Sequence, residues 1–285
     1  MHSQFCSRIP YHGGVLAFAL ISSLGAQTIS FQPVPQAVLE QRLNLVKGNN
    51  QEREQTLKKL FEEAGCRQIG EPEVKGAATP NLTCTLPGTA KASVIIGAHY
   101  DKAARGDGVI DDWAGAALLP SLYESLRETP RRLTLVFVAF TDHQKGLRGS
   151  TAFAKSLGGQ GPDGVRAMIN IDCVGLDPTE IWMKRSDQNL VTELARVAQS
   201  LKAPMTLVNR GDSTQVDSDS FADKHIPTID FHSIRHETAT LPNSDKDKLD
   251  LVKMADYANT YRLLAGYLAW LDSSSSAPPA SAGKK

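Results

Sequence analysis

The residues of this chain best placed to do chemistry are His, Asp, Gln and Asn groups that each follow an apolar run. The first group lies in SVIIGAHYDKAARGDGVIDDWAGAALL, residues 93–119. Val94 to Ile96 is β-branched, too short for a helix and ended by Gly97, which predicts a buried strand. That strand carries His99 and Asp101 to its carboxyl end, on either side of Tyr100. Asp111 and Asp112 follow a Gly-rich charged loop, and from Trp113 the spacing of Ala116, Leu119 and Leu122 is helical. An imidazole and carboxylates at a strand end, with more carboxylates at the mouth of a helix, suit a metal ion. Open α/β sheets place their ligands outside the carboxyl ends of strands. The plainer reading is a polar turn in which Asp111 or Asp112 caps the helix.

The same pattern recurs downstream. RLTLVFVAF, Arg132 to Phe140, is the most strand-like run in the chain and is expected to be central and buried on both faces. Thr141, Asp142, His143 and Gln144 follow it, before Gly146-Leu147 and another helix. Val165 to Val174 reads as a strand with Asp172 near its end, and a polar loop from His236 to Lys248 contains Asn243. One such residue is usually a cap; several at successive strand ends are harder to dismiss. Other candidates lack their context. Gly106-Asp107-Gly108 has neither the Lys nor the spacing of a phosphate loop, and Ser150 has no nucleophile elbow around it.

The elements that position these residues alternate. Pro35–Val46 and Gln51–Ala64 carry apolar residues at helical spacing, Asn81–Leu86 is a strand, and Asn189–Leu201 and Met254–Leu271 are helices. Short strands are expected at Glu180–Met183, Met205–Val208 and Ile226–Phe231, with a helical turn at Ser218–Ala222. This predicts one three-layer α/β domain over residues 31–272, a mostly parallel central sheet flanked by helices. Residues 273–285 are Ser/Pro/Ala-rich and predicted to be disordered.

Charges balance at 31 basic against 31 acidic residues, so neither sign is massed for a nucleic-acid groove or an anionic membrane, and no nucleic-acid partner is expected. Residues 1–26 read as a signal peptide: Arg8, the apolar run VLAFALISSL, then Gly25-Ala26. The expectation is a secreted or periplasmic protein with no stable membrane span after cleavage, or an N-terminal anchor if uncleaved. Cleavage leaves Cys66, Cys84 and Cys173. In an oxidising compartment Cys66 and Cys84 either pair or stay as buried thiols, and Cys173 reads as core.

The motifs GAHYD, GVIDDWAGAALL, FVAFTDHQKGLRGS and INIDCVG, with weaker SDSF near Asp219 and DKDKLD, resemble the co-catalytic zinc aminopeptidases of metallopeptidase family twenty-eight, which includes glutaminyl cyclases. The likeness covers roughly residues 80–270 and implies a zinc-aminopeptidase-like fold and a peptide substrate. It implies that His99 ligates zinc, that the Asp101 carboxylate orients the His99 imidazole, that Asp111 bridges two ions and that Asp172 completes the first site. Two departures stand out. His143-Gln144 occupies the position of a Glu-Glu pair, general base then second-metal ligand, and Asn243 aligns with the family's last His ligand. Side-chain amides are weak zinc ligands, so the expectation is one zinc ion, held by His99, Asp111 and Asp172, with Gln144 and Asn243 marking a degenerate second site. His143, with an ordinary pKa of ~6.5, is available as a replacement base, as a metal ligand, or as an inert remnant. Asp142 is a substitute base, and His232 or His236 a substitute ligand. The expected function is an exported aminopeptidase-type hydrolase with altered base and second-metal ligands; the alternative is a catalytically inactive pseudopeptidase. Cyclisation, which relies on the half of the site altered here, is disfavoured.

Overall fold

The computed structural model describes residues 29–158, 164–209 and 215–274. The expected signal peptide lies outside these residues, as does most of the expected tail, whose first two residues belong to the last helix, Met254–Ser274.

Seven strands form one mixed sheet: β1 (Leu82–Leu86), β2 (Ser93–His99), β3 (Thr134–Phe140), β4 (Val165–Ile171), β5 (Glu180–Trp182), β6 (Thr206–Val208) and β7 (Thr228–His232). Their order is β1-β3-β2-β4-β7-β5-β6. The middle strands β3, β2, β4 and β7 run parallel, while β1 on β3 and β5 on β7 are antiparallel. Alternate residues of β2 serve opposite layers. Val94, Ile96 and Ala98 join a core with the helices α1 (Gln36–Leu43), α2 (Asn50–Glu63), α3 (Ala114–Leu126), α5 (Gln188–Leu201) and α7 (Met254–Ser274). Ile95 faces a smaller cluster with Val138, Phe140, Ala154 and Phe221, under α4 (Arg148–Ser156) and α6 (Asp219–Ala222). That alternation is what a strand covered on both faces requires.

β3 is not central. It lies one place in from the edge, and β2 and β4 hold the middle. Its continuous apolar run reflects two covered faces, which an inner strand next to a short edge strand also has. At Gly97 the ring of Phe140 and the end of Met168 occupy the space a Cβ would need, so β2 keeps glycine beneath the site. Among the described residues no helix is long and apolar enough to cross a membrane.

Cys66, just after α2, is bridged to Cys84 on β1, with Cα atoms 6.4 Å apart across a sequence separation of 18. The bridge ties the edge strand to the helical layer. Replacing both cysteines by Ser is expected to cost about 3 kcal/mol of unfolding free energy, the scale of a loop of this length. Urea unfolding measures it, and an unchanged midpoint would show that the bridge adds no constraint.

Candidate metal centre

Parallel register brings the strand ends together. His99 pairs with Phe140, Gly97 with Asn170, and Ile171 with Phe231. His99, the turn after β3 and Asp172 therefore meet at one edge of the sheet. His99 is 1% exposed. Its Nδ1 lies 3.0 Å from the main-chain carbonyl of Asp101. A carbonyl only accepts, so Nδ1 carries the proton and Nε2 keeps a lone pair. Nε2 sits 2.9 Å from Asp111 Oδ1, yet no hydrogen bond reaches it. A lone pair facing a buried carboxylate is repulsive, and a cation between them makes both contacts attractive. Imidazole with carboxylates is also a donor set that zinc favours. Without an ion the conflict is relieved by a second proton. Burial opposes charge on His99, but the Asp101 and Asp111 carboxylates outweigh it and hold its pKa well above the ordinary value.

Asp101 does more than sit behind His99. Its carbonyl, rather than its carboxylate, makes the close contact to Nδ1; the carboxylate approaches at 3.5 Å. The carboxylate instead accepts the backbone N–H groups of His143 at 2.9 Å and Gln144 at 3.1 Å. Burial alone would raise the Asp101 pKa, but His99 and these amides pull it below the usual range. Asp101 thus fastens the end of β2 to the turn after β3.

Two buried side chains shape the loop that presents Asp111. Arg53 donates to the carbonyls of Lys47, Tyr100, Asp107 and Gly108 and lies over the Trp113 ring at 5.7 Å. Desolvation lowers its pKa to about 10. Asp247 accepts the N–H groups of Ile110 at 2.7 Å and Asp111 at 3.2 Å. The Asp111–Asp112 peptide is cis. Asp112 is the cap: its Oδ1 accepts Gly115 N–H at 3.2 Å and Cys173 N–H at 3.0 Å, and burial holds its pKa well above the carboxylate range. Asp111 faces the cleft.

On the far side of Asp111, Gln144 Nε2 donates to Oδ1 at 3.2 Å and Oδ2 at 3.3 Å, and Asn243 Nδ2 donates to Oδ2. The two amides therefore bond the carboxylate itself. His143 stacks on His99, ring centroids 3.9 Å apart and planes 12° from parallel. Its Nδ1 is 2.9 Å from Asp217 Oδ2. One ligand atom each from His99, His143 and Asp172 lie within 4.8 Å of one another, and so do atoms of Asp111, Asp172 and Cys173. Asp142 points elsewhere, to Lys145 at 3.1 Å and Arg148 at 3.6 Å. His232 lines the cleft but lies 4.0 Å from Glu180 and against Trp182, and His236 is exposed. Neither joins a ligand group among the described residues.

Asp217 and Asp247 are the residues that sequence reasoning missed. The SDSF motif directs attention to Asp219, which pairs with Arg185 instead. The only available signal for Asp217 was its place two residues earlier, and for Asp247 its place inside DKDKLD.

Residues 81–267 match Peptidase family M28. The chain belongs to this family. No curated protein matches this M28 chain significantly. Among solved structures it is similar to the LapA aminopeptidase of Legionella pneumophila, with 19% identity, TM-score 0.76, and 84% of this chain and 72% of that one covered. It is similar also to a glutaminyl cyclase from an Acidobacteriales bacterium, with 16% identity, TM-score 0.71, and 87% and 98% covered. A zinc aminopeptidase from Bacillus subtilis gives 17% identity, TM-score 0.62, and 70% and 52% covered. At these identities the structural likeness establishes the fold alone.

The cleft beside the M28 cluster holds about 570 Å³ and is walled by Trp182, Phe231, Ile234 and Asp230. Asp230 is 3% exposed. It accepts Ser218 Oγ at 2.7 and 2.9 Å and Asn170 Nδ2 at 2.9 Å. Burial pushes its pKa up to about 7 despite those donors. The folded state thus keeps a proton that the unfolded chain sheds near pH 3.8, so this group costs stability as pH rises from there to about 7. The melting temperature of Asp230→Asn is expected to gain on wild type steadily between those two pH values. A gap independent of pH would mean Asp230 is ionised throughout.

Proposed function

We propose that this chain is an exported, zinc-dependent aminopeptidase-type hydrolase that acts on the N-terminal bonds of peptides with one metal ion. The observation that carries this reading is the buried His99 Nε2, unpaired and 2.9 Å from Asp111 Oδ1, beside Asp172. His99, Asp111 and Asp172 are the residues to hold the ion. When bound, zinc polarises a carbonyl and acidifies water. The disulfide Cys66–Cys84 fits an oxidising compartment, and with the apolar run before Gly25 it supports export.

His143 is the proton acceptor in this scheme. Its ring lies parallel to that of His99, so their in-plane lone pairs run side by side rather than to one point. Its place is therefore beside an ion held by His99, not sharing it. Asp217 fixes the proton on Nδ1 and leaves Nε2 to accept one. Burial and the nearby His99 disfavour the imidazolium, but Asp217 outweighs them and holds the His143 pKa above its ordinary value. That pairing of a carboxylate behind a base stabilises the charge formed when the proton is taken.

The alternative is a pseudopeptidase that keeps the fold for binding. It draws on the saturation of Asp111, whose carboxylate already receives three amide contacts without any ion. Those same neutral amides support a count of one ion, since the second berth offers a single shared charge.

Two measurements test the proposal. Metal analysis of the purified chain is expected to give about one zinc, rising towards two in the double variant Gln144→Glu, Asn243→His. Two ions in wild type would sink the single-ion reading. Hydrolysis of aminoacyl-nitroanilides is expected to be weak but measurable, and kcat should fall on the order of a hundredfold in His143→Ala and in Asp217→Asn. Activity that survives His99→Ala would reject metal-assisted hydrolysis, and no hydrolysis by zinc-loaded wild type would leave the pseudopeptidase.

A further inference from the structure

Cys173 reads as core in the sequence, an apolar-strand thiol with no partner motif. The structure buries it in a small apolar cluster, as expected, and also sets it in the wall of the cleft. It follows Asp172 at the end of β4 with a left-handed backbone, φ 56°, and lines the cleft. Ile110 and Leu176 pack on one side of it. On the other, its Sγ lies with an oxygen of Asp111 and an oxygen of Asp172 inside a sphere where all three are within 4.8 Å of one another. The Asp172 carboxylate is its immediate neighbour in that group. With Cys66 and Cys84 bridged, it is the free cysteine among the described residues. A sulfur and two carboxylate oxygens this close together form a set that could surround a cation. A second feature borders the same space: Nε2 of His99, a residue 1% exposed, makes no hydrogen bond and lies 2.9 Å from Asp111 Oδ1.

We propose that Cys173 is a metal ligand, its thiolate joining Asp111 and Asp172 around one ion in the cleft that His99 borders. This rests on the reading that the cleft holds a metal. On binding, the S–H bond breaks, an Sγ–metal bond forms and the proton passes to solvent; nothing is oxidised or reduced. The thiolate returns to the cluster an anionic donor of the kind lost when Gln144 and Asn243 took the second berth. It also changes the ion preferred. Sulfur favours zinc, cobalt and cadmium over magnesium or manganese, whereas an oxygen-rich set does not.

Cobalt(II) absorption of the full chain tests this without recourse to activity. The loaded wild-type protein should show visible d–d bands together with a near-ultraviolet thiolate-to-cobalt charge-transfer band. That band should survive Cys6→Ser and be lost in Cys173→Ser, which should still bind cobalt and keep its d–d bands. Cobalt bound to wild type without the charge-transfer band overturns the proposal, as does a band that persists in Cys173→Ser. If Cys173→Ser does not fold, the wild-type and Cys6→Ser spectra decide alone. Failure to bind cobalt at all defeats the metal reading of the cleft as well, so the two failures are told apart.

Discussion

The site is built around a buried carboxylate that needs compensation. Asp111 is 5% exposed, and a charge so placed is tolerable only when paired or hydrogen-bonded. A cation beside His99 would meet that need on one flank, and N–H donors meet it on the other. Gln144 and Asn243 supply the donors. Glu and His at those positions would offer lone pairs, which repel the carboxylate unless a second ion stands between. On the proposed reading these two residues change what Asp111 is for: it is bonded from one side by amides and would coordinate an ion on the other.

That arrangement depends on a frame built far from it in sequence. The sheet register aligns the ends of β2, β3 and β4, but alignment alone does not aim side chains. Arg53 gathers four loop carbonyls around itself, and Asp247 holds the backbone N–H groups at Ile110 and Asp111. Each group satisfies main-chain polar atoms that an irregular buried loop would otherwise leave unpaired. The Arg53 pKa is drawn down to about 10 by burial, so it stays charged at neutral pH and keeps attracting Asp247 and Asp101.

Much of this was legible in the sequence because the information was local. The short β-branched run of β2, buried from Val94 to His99, and the helical spacing after Trp113 are properties of neighbouring residues; Gly97 does not end the strand, which continues to His99. The strand-end rule then placed His99, His143 and Asp172 together before any coordinates. What was not legible is pairwise and distant. Asp217 meets His143 across 74 residues and Asp247 meets Ile110 across 137, and nothing in a short polar loop marks which of several Asp residues turns inward. β3 read as central because apolar runs report covered faces, not position in the sheet. The caps show a subtler limit: Asp112 makes the capping bond to Gly115 while Asp111 faces the cleft, and only the backbone at that turn separates them.

Having His at residue 143, where the family resemblance implies a Glu, has a consequence for the balance of charge in the proposed site. A carboxylate base would stand as one more anion beside Asp111 and Asp172; a neutral imidazole removes that charge from the cleft. Asp217 restores it one shell out, on the far side of the ring, 2.9 Å from Nδ1. An ion held by His99 would therefore have this negative charge on the far side of the His143 ring. A weaker field at such an ion would follow, which would lower the demand for a second cation. On the proposed reading, residues 143, 144, 217 and 243 together would form one electrostatic adjustment toward a single ion.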